Sequence, residues 1–315
     1  MNLLVTGGCG FIGSNFIEHV IEKKRICKLV NVDCLSYAGS LSNTKKFKNH
    51  PKYLLEKYDL SNHKKTYDTF YKHDITHIVH LAAETHVDSS ILDADAFLSS
   101  NILGTHSLLK AALKFKIKRF HHVSTDEVYG HLSKGDKPFS ENTPYDPRNP
   151  YSASKAASDF IVRSYFHTHG LPITLSNCSN NYGPNQHKEK FIPTVIDSLL
   201  NGCNIPVYGK GDNIRDWIYV EDHCSAIWKI LTKGKLGETY LVGSNCEKTN
   251  LEIIYAICKI LEKDPEECVS FVKDRLGHDF RYAINNSKIK KELKWNPKMQ
   301  LTKGLVKTIK DHKDA

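Results

Sequence analysis

The sequence predicts an α/β fold: a Rossmann-type, doubly wound parallel sheet with a smaller α/β lobe attached. Two observations predict it. Through the first half of the chain, short apolar runs alternate with amphipathic stretches. That is the pattern of strands buried on both faces and covered by helices. A glycine-rich string, Gly7-Gly8-Cys9-Gly10-Phe11-Ile12-Gly13, joins the first apolar run to the first helical pattern. Strand, glycine turn and helix in that order are the context of a dinucleotide-binding turn.

Taken in order, strands are expected at 2–6, 29–33, 53–56, 77–81, 119–124 and 173–176. Between the first two, Ile12, Phe16, Ile17, Val20 and Ile21 fall on one helical face. A long helix is expected over 96–115 and another over 152–169. After about residue 177, Pro184, Pro193, Pro206, Gly209 and Gly211 punctuate the chain. Helices are expected there at 190–201, 221–232, 250–261 and 302–310. The expected division is a dinucleotide-binding domain over 1–177 and mainly a substrate-binding lobe over 178–315. The second lies over the sheet's carboxyl edge, and the two share interleaved segments.

A chain of 315 residues is ample for a full hydrophobic core. No apolar run approaches the ~18 residues of a membrane span. The N-terminus lacks the basic start and small-residue cleavage site of a signal peptide. These features predict a cytoplasmic protein without a membrane partner. The nine cysteines are scattered, with no CxxC pair, so neither a disulfide scaffold nor a metal site is expected. The net charge is +9. Its basic clusters, such as 288–294, carry no aromatic interleaving, which argues against a nucleic-acid partner. The excess suits a solvated lysine-rich surface and also an anionic diphosphate ligand.

The glycine spacing has physical reasons. Gly7 permits the tight turn, Gly10 lets the backbone approach a pyrophosphate, and Gly13 allows close helix–strand packing. Phe11 and Ile12 open the helix whose N-terminus would carry the phosphate charge. Asp33 ends the second strand, 20 residues after Gly13. A carboxylate there accepts from ribose hydroxyls and repels a 2′-phosphate, which points to NAD rather than NADP. Asp59 and Leu60 follow the third strand, where an adenine would be held. Leu81, Ala82 and Ala83 end the fourth, where small side chains leave room for the middle of the cofactor.

Tyr151 and Lys155 are four residues apart and share a helix face. A lysine ammonium favours a phenolate, which makes Tyr151 a base for a sugar hydroxyl. Lys155 would also hold the nicotinamide ribose. With the glycine motif upstream, this pair resembles the short-chain dehydrogenase/reductase superfamily. Thr125, Asp126 and Glu127 end the fifth strand, the end at which ligands bind in open α/β sheets. Two adjacent carboxyl groups there are either a helix cap with a first-turn acid or an acid and a base for an elimination.

Seven stretches are similar to the motifs of the dTDP-glucose 4,6-dehydratases, in order along the chain. They are LAAETHVD (81–88), STDEVYG (124–130), NPYSASKAASD (149–159), SNCSNNYGP (176–184), KFIP (190–193), RDWIYVEDH (215–223) and DRLGHDFRYAI (274–284). Ser89 stands where that family usually has Arg, and Leu276 where it usually has Pro. The resemblance implies an NAD-dependent hydro-lyase acting on dTDP-glucose or UDP-glucose in a deoxysugar (rhamnose-type) pathway. It implies that Tyr151 takes the proton of the 4-hydroxyl, assisted by Thr125. Glu127 then removes the carbon-5 proton and Asp126 protonates the departing 6-hydroxyl. It also implies a nucleoside-diphosphate hexose site. Thr85 and His86 would contribute to substrate binding, and Asn180 and Asn181 would lie near the sugar and diphosphate, with Lys190, Arg215 and Arg275 as a diphosphate clamp. Pro206, Tyr208 and Asn250 would form the pyrimidine surface, and His278 falls within a matched motif. For each arginine a surface ion pair is the alternative, and for each histidine a structural role. The superfamily implies a homodimer through a four-helix bundle built from 96–115 and 152–169. Phe97, Leu108, Leu109, Ala112, Phe160, Ile161 and Tyr165 would serve that interface or the core. Two other functions compete: a nucleotide-sugar 4-epimerase, which needs no elimination carboxylates, and a non-catalytic NAD-binding sensor or scaffold.

Overall fold

The computed structural model describes residues 1–274 and 277–314. In the first strand, β1 (Asn2–Thr6), side chains alternate between two cores. Leu3 and Val5 enter one and Leu4 the other, all fully buried. A strand buried on both faces needs a helical layer on each side, and the chain supplies both.

The first half runs through α1 (Phe11–Val20), β2 (Lys28–Asp33), β3 (Tyr53–Lys57), α2 (His63–His73), β4 (His77–His80), α3 (Val87–Leu92), α4 (Asp95–Phe97), α5 (Thr105–Lys114), β5 (Arg119–Thr125), α6 (Pro150–His169) and β6 (Ile173–Cys178). The second half contains β7 (Asn180–Tyr182), α7 (Phe191–Leu200), β8 (Ile205–Tyr208), β9 (Ile214–Tyr219), α8 (Val220–Lys233), β10 (Thr239–Val242), β11 (Glu247–Thr249), α9 (Asn250–Leu261), α10 (Pro265–Cys268), β12 (Val269–Val272), α11 (Ser287–Leu293) and α12 (Leu301–Asp314).

Seven parallel strands form the large sheet in the order β10-β6-β5-β4-β1-β2-β3. The order reverses beside β1, the doubly wound arrangement whose crevice receives ligands. Residues of α2, α5 and α6 cover one face; α1 and α8 cover the other. The smaller lobe has its own core, in which Ile192, Val195 and Ile196 of α7 meet Ile253, Ile254 and Ile257 of α9 and Leu305 of α12.

Three features depart from the sequence expectation. The helix expected over 96–115 is α4, a π-helical turn over Leu98–Gly104, and α5. Asn101 in that turn accepts from Glu84 N–H (2.8 Å) and donates to Glu84 O (3.1 Å) and Ser154 Oγ (2.8 Å). A widened turn of this kind re-aims a side chain, and here it ties the loop after β4 to α6. β10 is an unexpected edge strand of the large sheet, reached through α8 on one face by the kind of interleaving the sequence expectation allowed. β10 has only four residues, too short to register as a period. α2 was absent from the sequence expectation because its Lys- and Thr-rich surface leaves few apolar positions, Phe70 being one.

Candidate active site

A cleft of about 300 Å³ lies across the carboxyl ends of the central strands. Its floor is the β1–α1 turn. Gly7 has φ 71°, and a Cβ there would come within 2.8 Å of the Ala82 backbone. A Cβ on Gly13 would collide with Gly7 O. A Cβ on Gly10 would meet only Gly7 O, at 3.3 Å, so this side of the turn stands open to the cleft. The first turn of α1 carries no acidic residue and no side-chain cap. Its free N–H groups and positive dipole end are therefore available to a pyrophosphate.

Asp33, at the end of β2, accepts Cys9 N–H and Leu35 N–H, both at 2.8 Å. Burial raises its carboxyl and these two donors lower it. Two bonds leave lone pairs for ribose hydroxyls. Phe11, Ile12, Asp59, Leu60, Leu81, Ala82 and Ala83 line the same cleft. An open glycine turn, an uncapped helix N-terminus and a strand-end carboxylate fit a dinucleotide.

The opposite wall holds the chemistry. An Asn149–Ser152 capping box and Pro150 fix the start of α6, which places Tyr151 in its first turn. Lys155 donates from Nζ to Val123 O (2.9 Å). Burial pushes the Tyr151 phenol well above its ordinary value; Glu127 and Cys178 add to this, while Thr125 opposes it. Thr125 Oγ1 accepts from Glu127 N–H (3.3 Å) and donates to Asp126 Oδ1 (3.4 Å). Burial raises both carboxyls of the pair, but unequally. Asp126 is raised further by Glu127 and Asp216, and Arg215 opposes. In Glu127 burial is opposed by two cations, Arg215 and Lys190. One carboxyl is thus held toward its protonated form, and its neighbour faces positive charge.

Beyond this pair, Thr85, Asn180, Asn181 and Lys190 also line the cleft. Asn180 Oδ1 is buried without a hydrogen-bond partner among the described residues. Asn181 is committed within the protein, to His223 Nδ1 (2.8 Å) and Ser179 O (2.9 Å). Lys190 donates to Thr85 O (3.0 Å).

The remaining expected substrate residues lie outside the cleft lining. His86 caps α3, its Nδ1 accepting Ser89 N–H (3.0 Å) and lying 2.7 Å from Ser89 Oγ. Arg215 is stacked 4.2 Å from the Tyr282 ring and donates to Ile214 O, Phe280 O and Asp279 O. Its charge acts on Asp126 and Glu127 from behind. Pro206 and Tyr208 stand on β8, and Asn250 opens α9. His278 lies 2.6 Å from Asp274 and edge-on to Tyr208. Arg275, like Leu276, lies outside the described residues.

Several further cleft residues are absent from the expected set. Ser36, Tyr37 and Gly39 come from the loop after Asp33, and Glu84 precedes Thr85. Tyr37 OH lies 3.0 Å from Thr85 Oγ1, and its ring meets His187 edge-on. Gln186 and His187 fall between two matched motifs, and Cys178 lies inside one. Their nearness to recognised segments was the available clue.

The model of the GDP-mannose 4,6 dehydratase family matches residues 4–308. A dTDP-glucose 4,6-dehydratase of Haemophilus influenzae is 45% identical, over 98% of this chain and 97% of that protein. One from Mycolicibacterium smegmatis is 46% identical, over 98% and 92%. The chain belongs to the dTDP-glucose 4,6-dehydratase family.

A dTDP-glucose 4,6-dehydratase of Streptomyces venezuelae, solved with NAD bound, matches with TM-score 0.96 at 38% identity, covering 100% of this chain and 97% of that one. A UDP-glucose 4-epimerase of Thermotoga maritima matches with TM-score 0.92 at 27% identity, covering 100% and 99%. Backbone shape therefore spans both reactions, and the distinction between dehydratase and epimerase rests on side chains.

Proposed function

We propose that the protein is an NAD-dependent nucleotide-sugar 4,6-dehydratase converting dTDP-glucose or UDP-glucose to the 4-keto-6-deoxy sugar nucleotide. The observation that carries this reading is the Asp126–Glu127 pair, the first buried and the second half-buried, in the cleft that also holds Tyr151 and Lys155. An epimerase has no elimination to catalyse and no use for two such carboxyls.

NAD⁺, held by Gly7, Gly10, Phe11, Ile12, Gly13, Asp33, Asp59, Leu60, Leu81, Ala82 and Ala83, would supply reversible hydride storage. Tyr151 would take the 4-hydroxyl proton, with Thr125 hydrogen-bonded to the same oxygen and Lys155 favouring the phenolate. A ketone at carbon 4 acidifies carbon 5. Glu127, facing Arg215 and Lys190, is suited to be the carboxylate that removes the carbon-5 proton. Asp126, raised well above the carboxylate range, is suited to be the acid that protonates the 6-hydroxyl as it leaves. Asn180, with its unpartnered Oδ1, and Lys190 would hold the sugar and diphosphate. Arg215 would act mainly as the cation behind the acid–base pair. Thr85 and Asn181 border the sugar region. Pro206, Tyr208 and Asn250 would form the pyrimidine surface, Arg275 would join the diphosphate clamp, and His86 and His278 would contribute to substrate binding. We assign the protein to a homodimer in the cytoplasm.

The test is to incubate purified protein with dTDP-glucose and UDP-glucose separately and identify the products. A 4-keto-6-deoxy product from either supports the assignment. Conversion to the galacto sugar alone overturns it in favour of an epimerase.

A further inference from the structure

The Tyr151–Lys155 pair does not end at Lys155. Continuing at the same spacing, α6 carries Asp159 and Arg163. A four-residue spacing keeps side chains on one helix face, so phenol, ammonium, carboxylate and guanidinium follow one another away from the cleft. Asp159 has no solvent exposure and Lys155 is 5% exposed. A buried carboxylate is costly unless it is hydrogen-bonded and faces positive charge; Asp159 accepts two hydrogen bonds and lies in the field of Lys155. Its Oδ2 accepts Tyr145 OH (2.9 Å) and Asn177 Nδ2 (3.2 Å). Its Oδ1 lies 3.1 Å from His122 Nε2. Arg163 donates to Tyr145 OH (2.9 Å) and stands over that ring. His122 immediately precedes Val123, whose carbonyl accepts from Lys155 Nζ.

We propose that Asp159 is a positioning residue for the hydride-transfer chemistry: the buried counter-charge that keeps Lys155 an ammonium beside Tyr151, itself held by Tyr145, Asn177 and His122. The inference rests on the dehydratase reading for its catalytic meaning and on the geometry of α6 for its placement. Every titratable group around the pair fits this role. Burial lowers Lys155, and Asp159 and Cys178 oppose that. Burial alone would raise Asp159, but His122 and Lys155 outweigh it and hold the carboxyl below its ordinary range. His122 and His80 are both lowered by burial, with Lys155 adding to each. Both rings are therefore neutral near pH 7 and leave Asp159 as the negative charge. Tyr129 and Tyr145 are raised by burial and by Asp159, so both remain neutral phenols.

Asp159→Asn keeps the shape and removes the charge. Two readouts follow. In protein labelled with ¹³C at lysine Cε, with Lys155→Met to assign the signal, Lys155 should titrate about one to three units lower in Asp159→Asn. In the NAD-loaded enzyme mixed with dTDP-glucose, the acid limb of NADH formation against pH should move upward, with KM for the sugar nucleotide little changed. Tyr145→Phe, which removes one donor and no charge, should give smaller shifts in the same directions. It also supplies the test if Asp159→Asn fails to fold. An unmoved Lys155 titration, or a rate lowered equally at all pH values, would reduce Asp159 to a packing role and overturn the proposal. If the unmutated protein forms neither NADH nor the 4-keto-6-deoxy product, the dehydratase reading fails, while the lysine titration still decides the Asp159–Lys155 coupling.

Discussion

Asp126 and Glu127 are neighbours in sequence, yet their surroundings differ. At Asp126, Glu127 and Asp216 add to burial against Arg215, whereas at Glu127 two cations, Arg215 and Lys190, oppose burial and Asp279 adds to it. Separated environments turn two similar carboxyls into an acid and a base. The Asp126→Asn/Glu127→Gln variant retains volume and much hydrogen bonding. It should still oxidise carbon 4 and then stall with enzyme-bound NADH, because neither proton transfer has a partner. Such partners are each worth about 10²–10⁴ in rate, so dehydration at the unmutated rate would refute the assignment. The pH profile of kcat/KM carries the same logic. The rate rises as Glu127 loses its proton and falls as Asp126 loses its own. Because burial raises both, both limbs should lie above the ordinary carboxylate range of about 4. In Asp126→Asn the residual rate should lose the alkaline limb assigned to that acid. Asp33 governs the other half of the cleft. Asp33→Ala should narrow the preference for NAD⁺ over NADP⁺, measured as the ratio of dissociation constants. Equal affinity of the unmutated protein for both dinucleotides would remove Asp33 from that role.

At the scale of elements, the β1–α1 turn sets the cofactor geometry. Gly13→Ala would drive a methyl group into Gly7 O and the Gly8 backbone, atoms that cannot swing away as a side-chain tip would. The helix must shift, at an overpacking cost of about 1–3 kcal/mol. A lowered melting temperature together with weakened NAD binding is expected, and unchanged values in thermal scans and titration would contradict it. The same elements show what a sequence can reveal. β1, β2 and α1 were legible because buried runs and a 3.6-residue stripe leave a period. The cofactor turn was legible because glycine has few substitutes there. The π-helical turn was hidden because Asn101 acts through Glu84 and Ser154, contacts that exist only once the sheet has formed. Arg215 was legible as a conspicuous cation, but not its direction. Three carbonyls and the Tyr282 ring decide that, and Phe280, Asp279 and Tyr282 are more than 60 residues away in sequence. Tyr37 and His187 were missed because they line the cleft from connecting loops with no regular spacing.

At the scale of the molecule, the outward face of α6 carries exposed apolar side chains with no covering layer among the described residues. Phe97, Leu108, Leu109 and Ala112 point into the core, so these four drop out as interface candidates. The outward side of α6 presents Ala153, Ala157, Phe160 and Ser164 at four-, three- and four-residue steps, a single stripe of mostly small side chains around one aromatic ring. Beside α6, Leu98 and Leu103 of the π-helical turn are about half exposed, and Phe160 is 58% exposed. Small residues allow close helix approach, and the apolar groups among them gain by leaving water. A second copy of the chain offers the same stripe. Pairing across a two-fold axis closes on itself, with no open surface left to propagate. The superfamily resemblance implies a pairing of this kind, a four-helix bundle. We predict a homodimer by sedimentation equilibrium, with a melting temperature that rises with protein concentration. Leu103→Glu/Phe160→Glu would place carboxylates on both sides of the axis, adding desolvation and like-charge repulsion. That variant should sediment as a monomer. It should still bind NAD, because neither Leu103 nor Phe160 lines the cleft. A monomeric unmutated protein at micromolar concentration would exclude this interface, and so would a double variant that remains dimeric.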